Sequence, residues 1–194
     1  MYQQLTFRIV GVAPLIMHSG RGADRLDPIV REIKKLTDKR TKKSDEDAEK
    51  ICALEWELGL YVENDKVVIP GDNLEAIIRD GAKNAKKGKD VQRGLFIEES
   101  AILDFPDKHV PWRNLYNDRA QYVDYRGVKV KGARVMRTRP RFNTWAAEFT
   151  VNYLPSVLDK DDVVRAVEVA GQISGACDFR PRYGRFAVDS VVEE

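Results

Sequence analysis

The stretch Val67-Val68-Ile69-Pro70-Gly71-Asp72-Asn73-Leu74-Glu75-Ala76-Ile77-Ile78-Arg79-Asp80-Gly81-Ala82 joins the end of a strand to the start of a helix. Residues 60–62 and 66–69 flank a polar turn, a pattern typical of a hairpin, and Pro70-Gly71 ends its second strand. Asp72 is the expected helix cap, with Glu75 three residues later. Small and apolar residues then recur at helical spacing: Leu74, Ile77, Ile78, Gly81, Ala82 and Ala85. Gly88 is the predicted end of this helix.

Regular elements on both sides of this helix indicate the fold class. Leu5, Phe7 and Ile9 alternate with polar residues, which predicts a half-buried strand. Residues 145–153 predict a second strand, with Ala147, Phe149, Val151 and Tyr153 on one face. A helix is expected to start at Asp159, and residues 185–192 predict the last strand. With a possible short strand at 95–97, this order is βαββαβ, so we expect an α+β fold with a ferredoxin-like or RRM-like core.

The remaining residues predict long insertions into one domain that spans residues 1–194. The first insertion covers about residues 14–66 and the second about residues 91–143. Within the first, residues 29–57 are expected to be helical, and Ser44 with Asp47 resembles a capping box at the start of a second helix. Residues 93–142 are expected to be poor in strands, with short extended pieces at 122–125 and 128–130.

Composition excludes several classes of protein. Of 194 residues, 43% are hydrophobic and 33% charged, which is typical of a globular domain with a highly charged surface. Lys plus Arg is 33 and Asp plus Glu is 31, so a net charge of +2 excludes a globally basic protein but not a local basic face. We expect no membrane span, no secretory signal and a cytoplasmic location. Two cysteines and two histidines predict neither a disulfide framework nor a zinc site, and no cofactor is expected.

Charge is distributed unevenly along the chain. No acidic residue occurs between Tyr125 and Ala147, and this window holds seven basic residues: Arg126, Lys129, Lys131, Arg134, Arg137, Arg139 and Arg141. Tyr125, Phe142 and Trp145 are interleaved with them. Arginines bind phosphates bidentately and aromatic rings stack on bases, so the window predicts a nucleic-acid-binding surface. The alternative is a solvated hairpin whose cations pair with acidic neighbours. Basic clusters at 34–43 and 83–93 add weight to the first interpretation.

A second basic segment precedes the last strand. Residues 175–186 read Gly-Ala-Cys-Asp-Phe-Arg-Pro-Arg-Tyr-Gly-Arg-Phe, and its candidate binding residues are Arg180, Arg182, Tyr183 and Arg185. Glycines allow a backbone to approach a phosphate closely. The alternative is a connection in which Phe179 and Tyr183 pack on the core, and both interpretations can hold together.

Three motifs carry a family resemblance. Residues 69–79, Ile-Pro-Gly-Asp-Asn-Leu-Glu-Ala-Ile-Ile-Arg, resemble the segment of RAMP-superfamily CRISPR proteins in which a strand ends in Ile-Pro-Gly and a helix ends in Leu-Arg. Residues 13–20, Ala-Pro-Leu-Ile-Met-His-Ser-Gly, resemble the turn after their first strand. Residues 180–186 resemble their Gly-Arg-rich segment before the last strand. Asp72 and Asn73 stand where the family carries serines, and Glu75 is expected to repel a phosphate there.

The resemblance is greatest to the Cas7-like backbone proteins, and it implies a function. Proteins of this kind have an RRM-like core with insertions, act in CRISPR antiviral defence, and line up as copies along one RNA. The resemblance therefore implies single-stranded RNA or DNA as the partner, with RNA preferred, and self-association or related RAMP subunits as protein partners. The departures favour a divergent relative, phage-borne or plasmid-borne.

Catalysis has three candidate residues. His18, Asp24 and Asp27 lie after the first strand, where some RAMP nucleases place catalytic groups and where an Asp is implicated in RNA cleavage. No P-loop, nucleophile elbow or dinucleotide fingerprint is present. We therefore expect a binding protein rather than an enzyme. The alternatives are a ribonuclease of the same fold and an assembly subunit whose arginines meet an acidic surface such as residues 45–47 on a neighbour.

Overall fold

The chain was examined as a computed structural model, which describes residues 1–38, 44–130 and 132–193. The strands are β1 (Gln3–Gly11), β2 (Leu15–Ile16), β3 (Val62–Glu63), β4 (Lys66–Ile69), β5 (Leu95–Phe96), β6 (Ala101–Asp104), β7 (Val123–Val130), β8 (Ala133–Phe142), β9 (Ala146–Tyr153) and β10 (Phe186–Glu193). The helices are α1 (Pro28–Thr37), α2 (Asp45–Gly59), α3 (Gly71–Ala82), α4 (Gly88–Gly94), α5 (Arg119–Tyr122) and α6 (Lys160–Val169). No helix among the described residues is both long enough and apolar enough to span a bilayer.

The strands form two sheets. The main sheet has the order β10-β1-β9-β6-β4-β3, with β5 also paired to β9. Its strands pair antiparallel, which confirms the expected α+β class. The path β10-β1-β9-β6, with α3 ahead of β6 and α6 ahead of β10, has the order of a βαββαβ unit. The second sheet has the order β2-β8-β7 and lies within the residues predicted as insertions.

The core forms where alternating residues of β1 and β9 meet the helices. Leu5, Phe7 and Ile9 are fully buried, and Phe7 stacks on Phe149 of β9 with ring centroids 5.7 Å apart. Burial of apolar area is the main favourable term in folding, so this two-residue alternation sets which face of the sheet points inward. Ala147, Phe149, Val151 and Tyr153 are buried as well, which confirms the predicted face of residues 145–153.

Helix starts follow the capping chemistry at two of three predicted positions. Ser44 caps α2 with a full capping box, and Asp159 caps α6 by accepting from the backbone of Asp162. The prediction for Asp72 is wrong: α3 begins at Gly71 with Pro70 as its cap, because the strand ends directly at the proline. Gly88 begins α4 and does not end the preceding helix.

The second insertion contains more strand than predicted. Strands β7 and β8 pair as a long hairpin, and β6 pairs with β9 in the main sheet. Strand β8 was missed because Pro140 lies inside it and, with Thr138, takes the place of apolar residues in the buried half of the usual alternation. The hairpin also pairs with β2, which attaches it to the turn after β1.

Candidate nucleic-acid interface

Strand register places most of the predicted cations on one face of the β7–β8 hairpin. Asp124 lies opposite Arg139, and Arg126 lies opposite Arg137. Directly opposed residues share a face, and so do residues two apart along a strand. Four charged side chains, three of them arginines, therefore lie side by side. Two arginines directly opposite each other repel, so this arrangement needs carboxylates nearby.

The C-terminal loop, defined as residues 175–185, supplies one of those carboxylates. Its ends are closed by Gly184, whose carbonyl accepts from Ala176 N at 2.8 Å and whose N–H donates to Pro14 O at 2.8 Å. In its middle, Asp178 N donates to Ile16 O at 2.9 Å. Gly184 has a φ of +71°, and an added Cβ would lie 2.0 Å from Ala176 O, so glycine is required there. These contacts hold the loop against β2 and the hairpin.

Arg126 is enclosed by this loop. Its guanidinium lies 4.1 Å from the ring centre of Phe179 and 4.6 Å from that of Tyr183. It also donates to Asp124 Oδ1 at 2.7 Å, and only 22% of its side chain is exposed. Cation–π contacts and a charge-assisted hydrogen bond of this kind stabilise the docked loop. Arg126 and Tyr183, both predicted to bind nucleic acid, therefore contact each other inside the protein.

Arg137 and Arg139 also have carboxylate partners. Arg137 forms an ion pair with Glu55 of α2, and Arg139 lies 3.1 Å from Asp178. The side chain of Arg139 is 12% exposed, and its Nε is buried with no hydrogen-bond partner in the described part of the chain. The alternative of cations paired with acidic neighbours therefore holds for these two arginines and for Arg126.

A cleft of about 570 Å³ opens beside these arginines. Its polar lining residues are His18, Ser19, Glu55, Lys129, Arg137, Thr138 and Arg139. The other lining residues are largely aliphatic and include Ala23, Val30, Ile33, Leu58 and Val128. We call it the hairpin cleft. Its volume is in the range of pockets that hold small ligands, and a lining that combines charged and apolar side chains suits a ligand with an anionic and a flat apolar part.

His18 is held at the mouth of the hairpin cleft in a positive field. Its pKa is lowered by partial burial and then by the charge of Arg139, with Arg137 acting in the same direction. The carboxylates of Asp178 and Glu55 oppose this shift. His18 is therefore neutral at pH 7 and is placed where a bound anion would favour its charged form.

The two aspartates predicted as catalytic candidates hold local backbone structure. Asp27 caps α1: its Oδ1 accepts from Ile29 N at 2.8 Å, and its Oδ2 lies 2.8 Å from an Arg21 nitrogen. These contacts, first among them the hydrogen bond from Ile29, lower the pKa of Asp27 against the opposing effect of burial. Asp24 accepts from Leu26 N at 2.8 Å. No group of three metal-ligating side chains occurs in the described ranges.

Two predicted stacking residues are core residues, which corrects that part of the sequence interpretation. Phe142 is 0% exposed and Trp145 is 1% exposed. Phe142 packs against Phe105 and Tyr122, and the indole of Trp145 donates to Ala13 O at 2.9 Å. Neither ring has a face open to a base. Tyr125, by contrast, is 44% exposed on the hairpin.

The other predicted cations differ in their exposure and in whether they have an ion-pair partner. Lys129 and Arg134 are exposed and directly opposite each other near the hairpin turn, and neither has an ion pair with a described residue. Lys131 lies outside the described residues. Arg141 is half-buried, and Arg180 lies 3.8 Å from Asp80. Arg182 and Arg185 are exposed on the C-terminal loop, where Arg185 Nε donates to Pro181 O.

The residue that sequence reasoning missed is Glu55. Both of its carboxylate oxygens face β8: Oε1 contacts Arg137, and Oε2 accepts from Thr138 N at 3.1 Å. A signal was present, because Glu55 lies within the apolar run Ile51-Cys52-Ala53-Leu54-Glu55-Trp56, where a charge needs a partner. Glu75, expected to repel a phosphate, instead accepts from Ile97 N at 2.7 Å.

Comparison with known proteins identifies the fold. No family model and no curated protein matches the chain. Among solved structures, the chain is similar to one in a cryo-EM structure of the Type III-B Cmr-beta bound to cognate target RNA, with a TM-score of 0.54 and 8% sequence identity. The match covers 99% of this chain and 60% of the other, so this chain spans about three fifths of the length of its neighbour. At this identity the likeness establishes the fold alone.

Proposed function

We propose that the chain binds single-stranded nucleic acid, RNA in preference to DNA, along the β7–β8 hairpin and into the hairpin cleft. The observation that carries this proposal is the cleft itself, whose lining includes Lys129, Arg137 and Arg139 together with aliphatic side chains. Cations suit phosphates and apolar side chains suit the face of a base. The fold likeness to a chain in an RNA-bound complex supports RNA as the ligand.

The pairing of the arginines determines how binding would depend on salt. Arg137 and Arg139 already face carboxylates, so a phosphate gains less from them than from a free cation. Lys129 and Arg134 have no such partner among the described residues, and they carry most of the electrostatic attraction in this proposal. Each phosphate contact to a single strand contributes a slope of about −0.7 in a plot of log affinity against log salt.

The fold likeness and the three sequence motifs together support a distant relationship to the RAMP proteins of CRISPR systems. We propose on that basis that copies of the chain, or related RAMP subunits, assemble along the strand. The exposed hairpin and the exposed residues of the C-terminal loop are the surfaces that such an assembly has available.

The experiment is fluorescence anisotropy of a labelled oligouridine with protein stripped of nucleic acid. The variant is the double substitution Lys129→Ala with Arg134→Ala, because neither side chain has an ion pair to break within the described ranges. We expect the salt slope to become shallower by about 1.4, which is two contacts of about 0.7 each. Between about 50 and 200 mM salt the wild type then loses about sevenfold more affinity than the variant.

The matched control removes two cations elsewhere. Lys89→Ala on α4 with Arg165→Ala on α6 changes the net charge equally but touches neither the hairpin nor the cleft. It should bind as the wild type does. If the wild type fails to bind at low salt, or if both double variants lose the same affinity, the hairpin is not the nucleic-acid interface. Single-stranded DNA as competitor ranks the two nucleic acids.

A further inference from the structure

The polar lining of the hairpin cleft contains a carboxylate. Glu55 is the one acid among the described residues that line the cleft, and its side chain is 12% exposed. It is held by two neighbouring groups of β8, the guanidinium of Arg137 and the backbone N–H of Thr138. Because both partners belong to one strand, the carboxylate has a fixed position in the lining.

The local fold explains why a hydrogen-bond acceptor is needed at the position of Glu55. Strand β2 is short, and its pairing with β8 reaches only Phe142 and Arg141, followed by the hydrogen bond from Met17 N to Pro140 O at 3.0 Å. The next backbone donor on this edge is Thr138 N, and Glu55 accepts from it. This hydrogen bond needs one oxygen, and the other oxygen forms the ion pair with Arg137.

A carboxylate has about four acceptor positions, and the two contacts to β8 use two of them. The other acceptor positions of Glu55 remain for a ligand, because Glu55 lines the cleft. A phosphate is repelled at this point, so a ligand must present hydrogen-bond donors there. In a single strand, the donors are base edges and, in RNA, the ribose 2′-hydroxyl.

The shape of the cleft favours a base. Val30, Ile33 and Leu58 line the aliphatic part, a surface suited to the face of a flat ring. Guanine offers two adjacent donors, N1–H and the N2 amino group, to the two oxygens of a carboxylate. Cytosine and adenine offer one amino group, and uracil offers one imino N–H. We propose that the hairpin cleft holds one base of the bound strand and that Glu55 selects guanine; this inference rests on the proposed function.

The test compares a labelled oligouridine with the same strand carrying one central guanosine, by fluorescence anisotropy. A bidentate contact to a base discriminates by about tenfold, so the guanosine strand should bind about tenfold more tightly. Inosine lacks the N2 amino group but keeps N1–H, and it should give an intermediate affinity. In Glu55→Gln the guanosine preference should disappear; the readout is the ratio of the two affinities, which a change in overall affinity from the lost ion pair with Arg137 does not alter.

The control is Glu57→Gln on the same helix, which removes an equal charge at a residue outside the cleft. It should keep the guanosine preference. Equal binding of the two strands by the wild type overturns the inference, and so does a preference that survives in Glu55→Gln. A preference for RNA over DNA without regard to guanosine also overturns it, because Glu55 would then contact the ribose. If neither strand binds, the proposed function itself is wrong. The inosine comparison uses the wild type alone, so the test stands even where Glu55→Gln does not fold.

Discussion

Gly184→Ala should detach the C-terminal loop from the hairpin. Alanine at a φ of +71° costs about 1–2 kcal/mol, and its Cβ would lie 2.0 Å from the backbone oxygen of Ala176, which cannot move aside as a side-chain end can. The clash disrupts two backbone hydrogen bonds of 2.8 Å, to Ala176 and Pro14, each contributing about 0.5–1.5 kcal/mol. Together, the backbone cost and the two lost hydrogen bonds should destabilise the docked loop by about 2–5 kcal/mol.

Cys177 reports on this detachment directly. Burial raises the pKa of its thiol to about 12, so very little reactive thiolate exists in the docked loop at pH 8. Cys177 is partly buried in the docked loop and its thiolate is scarce there, so labelling by iodoacetamide should accelerate when the loop opens. A cost near 3 kcal/mol raises the open population by a factor on the order of 100, and labelling of Cys177 should accelerate to the same degree. Mass spectrometry of the two cysteine peptides measures both rates in one sample, with Cys52 of α2 as the internal reference.

Gly132→Ala separates the backbone cost from the clash. Gly132 has a φ of +88°, but an added Cβ there meets no atom of the described residues within 4 Å. It should lose only the conformational part of about 1–2 kcal/mol, with no change in the labelling of Cys177. If Gly184→Ala labels Cys177 no faster than Gly132→Ala does, the two backbone hydrogen bonds do not hold the loop. If Cys52 accelerates equally, the whole domain has unfolded rather than the loop.

Three further predictions concern titration, core packing and base stacking. A phosphate bound near His18 favours its protonated form, so RNA affinity should rise up to about tenfold per unit of pKa shift as the pH falls from about 7.5 to 5.5, measured by anisotropy. His18→Ala should abolish this pH dependence of RNA affinity, and His109→Ala should keep it. In the free protein the pKa of His18 is depressed, so the folded state should lose stability as the pH falls below about 6.5. Trp145→Ala should cost about 3–5 kcal/mol in denaturant unfolding, because its ring is a core residue. Tyr125→Ala should leave stability nearly unchanged and weaken RNA binding by about 1–3 kcal/mol if its exposed ring stacks on a base.

Capping chemistry and strict alternation predicted the elements that depend on local sequence. The capping box at Ser44 and the cap at Asp159 were confirmed because a cap is satisfied by residues three positions away. The strand over residues 146–153 was confirmed because Ala147, Phe149, Val151 and Tyr153, which share one face, are apolar and buried. The hairpin strand β8 was missed because its inward residues include Thr138 and Pro140, which carry no apolar signal.

The same strand explains why the aromatic residues were misplaced. Along β8, Thr138, Pro140 and Phe142 are buried, whereas Arg137, Arg139 and Arg141 alternate with them. A two-residue period therefore separates Phe142 from the arginines beside it in sequence. Residues 125–147 contain no acidic residue in sequence, but acidic residues from outside this stretch lie beside them in the folded chain. Carboxylates reach the window from α2, from the start of β7 and from the C-terminal loop, and no local count of charges can detect them.

The exposed face of the main sheet gives an independent reason to place the nucleic acid on the hairpin side. In RRM domains the sheet carries aromatic side chains on which bases stack. Here the central strands β1 and β9 place Thr6 and Thr150 opposite each other, with their hydroxyl oxygens 2.8 Å apart. Beside Thr150, a pocket of about 380 Å³ is lined by Glu98, Glu99 and Glu148. Three carboxylates around one pocket repel a phosphate backbone. The βαββαβ order alone therefore does not predict that a strand binds across the face of the main sheet, as in RRM domains. The β7–β8 hairpin, which belongs to the second sheet, carries two exposed cations, Lys129 and Arg134, that have no ion pair within the described part of the chain. The core therefore acts as the support, and the inserted hairpin, with the loop docked on it, provides the surface on which binding has to be tested.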